Sequence, residues 1–215
     1  MKQLFTFVTA LFMANLVMAQ IPVNMSAQKN FTYTETFTDI GNWIYNTTPV
    51  DGTFNYGIGA DAWRGVAIGG TTTVPSATKI TGQTTSFQLP FGTNTSITST
   101  GLQKGSGSMV LLTTGTTDNT TSTAMDFFLN FTGVTAGSLS YDWGSINNST
   151  GNRASSLRIY TSTDGTNFTE LVSAATLNFL NNTPTSGTVA NVALPASFSN
   201  SATKKYFMKF LCNFL

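Results

Sequence analysis

Few side chains in this chain could do chemistry, and their identities narrow the choice. There is no His, and the one Cys is Cys212. A Ser-His-Asp triad, a Cys-His pair and a His-ligated zinc site are therefore impossible within the chain. No disulfide can close inside it. The acids are two Glu, Glu35 and Glu170, and seven Asp. A glycoside hydrolase needs two carboxyl groups about 5–9.5 Å apart across a sugar, and no local motif pairs any of these acids. Glu35 shares an alternating face with Phe31, Tyr33 and Phe37 in FTYTETFT. A carboxylate there is either a satisfied hydrogen-bond acceptor or an oxygen ligand for a structural cation such as calcium.

Three further residues are candidates for ligand contact. Trp63 and Arg64 fall in a loop-like stretch, Thr47 to Gly70. An aromatic ring in such a loop stacks on the apolar face of a sugar or plugs the open end of a sandwich. Tyr160 lies on the strand face opposite Ile159, where exposure is expected unless a second face is buried. Lys104-Gly105-Ser106-Gly107 lacks the spacing and the following helix of a phosphate loop, and reads as a turn.

The elements that must position these residues are strands. The clearest lie between Gly137 and Val172. Leu139, Tyr141 and Trp143 alternate with polar residues, as do Leu157, Ile159 and Thr161. Strand side chains point to opposite faces with period two, so both runs predict strands with one buried face, which makes Leu139, Tyr141, Trp143, Leu157 and Ile159 core residues. Asp164-Gly165 predicts a hairpin turn, and a third short strand follows through Phe168 and Leu171. Further strands are expected at 31–38, 86–89, 96–102 and 108–113. Three more follow from Ala124 to Phe131 (with Met125, Phe127, Leu129 and Phe131 on one face), through Ala190, Val192 and Leu194, and from Lys204 to Cys212. Asp39 is placed to cap a single helical turn that carries Trp43 over the core. Many short strands separated by turns predict an all-β fold, an antiparallel β-sandwich of the jelly-roll type.

Composition agrees with that class. Only 9% of the 215 residues are charged, against about 25% in ordinary soluble domains. Thr, Ser, Asn and Gly supply the polarity, with 39 Thr. The formal net charge is +1, so no basic surface is available for a nucleic-acid backbone. Residues 1–19, MKQLFTFVTALFMANLVMA, have the charged start, apolar centre and small-residue end of a signal-peptide helix. They are shorter than the roughly 20 residues of a membrane span. A secreted or cell-surface location follows, with no membrane attachment after cleavage. Residues 20–30 then read as a connector, and 31–215 as one domain.

The run SGSMVLLTTGTTDNTTSTAMDFFLNFTGVTAGSLSYDWGSINNSTGNRASSLRIYTSTDGTNFTEL resembles a module of secreted Bacteroidota proteins, as do YTETFTDIGNW and VALPASFSNSAT. Such modules stand at the N-termini of large surface proteins, many of them exported by the type IX system. They are similar to jelly-roll adhesin and carbohydrate-binding-like domains. The resemblance covers most of residues 31–210 and implies location and architecture. It implies no catalytic residues. In such modules a Gly-rich turn and another strand follow the one at Tyr206–Phe210, whereas here the sequence stops at CNFL. The expectation is a fragment whose domain lacks its last strand, with a neighbouring strand left unpaired. The function expected is a non-catalytic module that binds a glycan or another surface protein. A jelly-roll glycoside hydrolase and a structural spacer are the alternatives. No cofactor is expected beyond the calcium that Glu35 raises.

Overall fold

The computed structural model describes residues 21–42, 44–45, 54–55, 62–69, 101–104, 107–112, 121–145, 154–164, 167–171, 174, 176–180, 182–200 and 206–214. The signal sequence, Trp43, Gly165 and the strand at 86–89 lie outside them. Among the described residues thirteen strands follow in chain order: β1 (Val23–Asn24), β2 (Ile44–Tyr45), β3 (Phe54–Asn55), β4 (Trp63–Gly69), β5 (Gly101–Lys104), β6 (Met109–Leu112) and β7 (Thr121–Asn130). After them come β8 (Ser138–Gly144), β9 (Ala154–Ser162), β10 (Thr169–Glu170), β11 (Leu177–Leu180), β12 (Ser186–Ala193) and β13 (Tyr206–Phe214). The described residues contain no α-helix, only short 3-10 turns. The protein is all-β.

Seven strands form the main sheet. β7, β13 and β9 are its centre. β4 and the two-residue β1 share the outer edge of β7, and β10 and β11 share the outer edge of β9. All pairings are antiparallel except β1 with β7. β13 is bonded along both edges, from Tyr206 opposite Leu129 to Asn213 opposite Ser122, and from Phe207 opposite Ser162 to Phe214 opposite Ser155.

One face of this sheet builds the main core. Met125, Phe127 and Leu129 of β7, with Ile159 of β9, join Trp63, Phe131, Val134, Leu171 and Phe198. A separate two-stranded sheet, β8 with β12, contributes Val192 and the partly buried Leu139, Tyr141 and Val189 to the same cluster. Burying each large apolar side chain contributes about 1.5–3 kcal/mol. β8 alternates exposed and half-buried along its whole length, as its sequence predicts. Trp143 keeps to the inward side but lies beyond the core cluster. Its ring rests on Gly187, whose absent Cβ would stand 3.2 Å from the indole nitrogen, and stacks with Phe179 at 6.2 Å.

Four expectations need correction. Residues 31–38 are not a strand: positive φ angles at Asn30, Phe31 and Phe37 break the extended chain. Tyr33 and Phe37 still reach the core, against Phe127 and Trp63, while Phe31 is exposed. The connector at 20–30 contains β1 and two 3-10 turns. The loop expected at 47–70 contains β3 and the seven-residue β4. In β12, Ala190 faces solvent and Val189 faces in, because Ala190 and Asn191 together oppose Ser140. This bulge puts Asn191 at φ 56, with its N–H donating to Ser140 Oγ at 3.0 Å. The turn expected at Asp39 is present at Ile40–Asn42, closed by Asn42 N–H on Asp39 O at 2.8 Å.

Candidate functional site

The second face of the main sheet is the unexpected part of the molecule. Residues directly opposite one another across a ladder share a face. The register aligns Arg64, Asp126, Lys209, Tyr160 and Glu170 in one row across β4, β7, β13, β9 and β10. Arg158 lies two residues along β9, on the same face as Tyr160. Five of the nineteen charged residues of this charge-poor chain, three cations and two anions, thus fall on one face of one sheet. The face is also buried: Ala124 and Asp126 are 0% exposed, Phe128 2%, Ser156 0% and Tyr160 3%. Asp126 is fully buried, and the residues opposite it in the neighbouring strands β4 and β13 are Arg64 and Lys209.

The β9 end of the row is the best defined. Arg158 Nη1 donates to both Glu170 oxygens, at 3.0 and 3.2 Å. Thr176 Oγ1 donates to Glu170 Oε1 at 3.4 Å. This pair occupies the break between β10 and β11, where the chain leaves the edge of β9 after Leu171 N–H bonds Ile159 O. The Arg158 and Glu170 side chains are 19% and 29% exposed there. Beneath them, the Tyr160 hydroxyl, Ser156 Oγ and Arg158 Nε are sealed from solvent and make no hydrogen bond of good geometry, the Tyr160 hydroxyl having the Arg158 guanidinium beside it. Burial pushes the Tyr160 phenol above its ordinary pKa; the Glu170 charge adds to this, and the nearby Arg158 guanidinium opposes it. Buried polar groups are nearly always bonded, so this stretch of β9 carries more polar groups than its hydrogen bonds within the protein satisfy.

The residues singled out by sequence are scattered by the fold. Trp63 opens β4 and is buried, with its ring stacked on Phe127 at 4.2 Å and tilted against Phe37. It is a core residue, and this face of its ring is not open to a sugar. Arg64 is its neighbour in β4 and belongs to the opposite, polar face. Tyr160 lies on the expected face but is buried, because that face is covered too. Glu35 lies on the core side with both oxygens engaged: Tyr33 O–H donates to Oε2 at 2.7 Å, and Phe37 N–H to Oε1 at 2.8 Å. The bond to Glu35 joins burial in pushing the Tyr33 phenol well above its ordinary value. Among the described residues no three or more His, Cys, Asp or Glu gather where they could hold a metal ion.

The two glutamates of the chain do not meet. Glu35 is tied through Tyr33 to the Phe127 face, and Glu170 belongs to the Tyr160 face. Asp126 and Glu170 share a face but stand three strand spacings apart, about 14 Å between backbones.

Sequence reading missed Asp126, Arg158 and Ser156 as site residues. One signal was available: the other face of AMDFFLNF carries Ala124 and Phe128, so the strand is apolar on both sides, and Asp126 is the one charge inside it. No protein-family model, curated protein or solved structure matches this chain.

Proposed function

We propose that this chain is an exported, cell-surface or secreted β-sandwich module of the jelly-roll type that binds a glycan and is non-catalytic, serving as an accessory to a larger surface protein. The observation that carries the reading is the Arg158–Glu170 pair, with the buried Tyr160 and Ser156 hydroxyls beneath it. A sugar, which both donates and accepts through its hydroxyls, suits a patch of mixed donors and acceptors. Export rests on the apolar first nineteen residues and on the resemblance to Bacteroidota surface modules. The wide separation of Asp126 from Glu170, and the placement of the two Glu on opposite faces, favour binding over hydrolysis.

The test is a glycan array probed with the full chain, run beside a turnover assay on a polysaccharide panel. Binding without turnover is the expected result. Turnover that disappears in Glu35→Gln or Glu170→Gln would reverse the reading in favour of a hydrolase. Silence on every carbohydrate, with capture of a purified surface protein, would shift it to protein recognition.

A further inference from the structure

Among the described side chains Phe31 is the one aromatic that the fold leaves largely in water, 62% exposed. Its backbone is as unusual as its exposure. Lys29 to Thr32 form a tight turn, closed by Thr32 N–H on Lys29 O at 3.1 Å. Both central residues are at positive φ, Asn30 at 54 and Phe31 at 55. Turns of this kind, type I′, are dominated by Asn, Asp and Gly. Asn30 obeys that rule. Phe31 breaks it, because a bulky side chain in left-handed backbone crowds its own main chain. A single apolar residue on a surface needs no explanation, and Ile21, 65% exposed, has no positive φ. Phe31 combines an apolar ring in water with a strained backbone, and Gly at this position would remove both.

The turn is also held in place. Phe31 N–H donates to Gln28 O at 3.0 Å, and Thr32 Oγ1 to Asn30 O at 3.2 Å. Met25 is buried ahead of the turn, and Tyr33, just after it, stacks on Phe127 at 5.5 Å. Strain of this kind persists only where the flanking structure imposes it, and it collects at ligand sites. A ring fixed in this way loses little freedom when something settles on it. We infer that Phe31 is a sugar-stacking residue. Its ring receives the apolar face of a pyranose whose hydroxyls are all equatorial, as in a β-linked glucan, and the exposed Asn30 amide meets the hydroxyls at the rim. The contact stands at the opposite end of the main sheet from Arg158 and Glu170, since the turn follows β1 beside β7 and the ion pair joins β9 and β10. The sugar rests on the glycan reading above; the place rests on the exposure and backbone of Phe31.

The experiment is titration calorimetry of the full chain with cellohexaose, beside a wider carbohydrate panel and a melting curve on every variant. Phe31→Ala and Phe31→Leu each weaken cellohexaose by about 3- to 10-fold, since a stacked ring is lost. Phe31→Trp keeps the affinity, and Ile21→Ala, the other exposed apolar side chain of this segment, leaves it unchanged. Phe31→Gly loses the sugar yet melts no lower than the parent, because Gly takes positive φ without strain. Cellohexaose bound equally by Phe31→Ala overturns the site and leaves the glycan reading standing. Phe31→Leu as tight as the parent overturns the stacking. A Phe31→Gly variant that melts well below the parent shows a packing role and overturns the proposal. Binding confined to other sugars of the panel overturns it too, again without touching the glycan reading. Silence across the whole panel overturns both readings together.

Discussion

Replacing Tyr160 by Phe removes one oxygen from a residue that is 3% exposed, and that oxygen makes no hydrogen bond of good geometry. In the unfolded chain water satisfies the hydroxyl. In the folded chain only the Arg158 guanidinium offers it a poor contact, and a poorly satisfied buried group costs about 1–3 kcal/mol. The void left by its removal, roughly 10–15 Å³, costs about 0.3 kcal/mol. Tyr160→Phe should therefore stabilise the free protein by about 1–2 kcal/mol, and raise Tm by about 2–4 °C for each kcal/mol in a chain of this size. Tyr33→Phe is the matched control. Its hydroxyl donates to Glu35 at 2.7 Å, so the same substitution removes a bond to a carboxylate and should cost about 1.5–3 kcal/mol. Calorimetric melting of both variants, without ligand, gives the two signs directly. A fall in Tm for Tyr160→Phe comparable to that for Tyr33→Phe would refute the reasoning, because it would mean that the hydroxyl already holds an acceptor or a buried water.

Two further outcomes follow from other parts of the fold. The phenols of Tyr33, Tyr141 and Tyr160 are all pushed up, chiefly by burial. The folded state thus keeps protons that the unfolded state releases near pH 10, so the stability they contribute is intact below about pH 10 and lost as pH rises through the folded values. Tm measured from pH 8 to 12 should fall above that point, with tyrosinate absorbance delayed; coincident titration at pH 10 with a flat Tm would contradict it. Gly187→Ala should also destabilise, by about 1 kcal/mol, because the new Cβ meets Trp143 at 3.2–3.3 Å and the indole must leave its place against Phe179. Unchanged urea unfolding in that variant would show that the indole moves freely.

How much of this was legible in the sequence depended on how each strand is covered. β8 lies in a two-stranded sheet with one face in the core and one in water, and such strands alternate cleanly. Its residues could be assigned one by one. β7 and β9 are buried on both faces, so an alternation in polarity does not report exposure, and Tyr160 was placed on the correct face with the wrong surroundings. Trp63 falls in a stretch, Thr47 to Gly70, whose sequence reads as a loop; only pairing with β7 makes its last part a strand. The bulge in β12 left one mark, Asn191, a residue type that tolerates positive φ.

The polar row has a different reason for being hidden. Its members come from Arg64, Asp126, Tyr160, Glu170 and Lys209, and the strand that joins the two halves of the row, β13, follows β7 by some eighty residues of chain. No local motif can encode such a site, because each side chain stands alone in its own segment. Stability does not account for it either: a buried ion pair is often matched or bettered by apolar residues of the same volume. The neighbouring positions on this face, Ala124 and Phe128, show that the sheet accepts apolar residues there. A chain with so few charges that sets four of them in one row and a fifth, Arg158, two residues away on the same face departs from the rules that the rest of its fold obeys. Departures of that kind collect at functional sites, which makes the row, and its open end at Arg158 and Glu170, the part of the molecule where binding should first be sought.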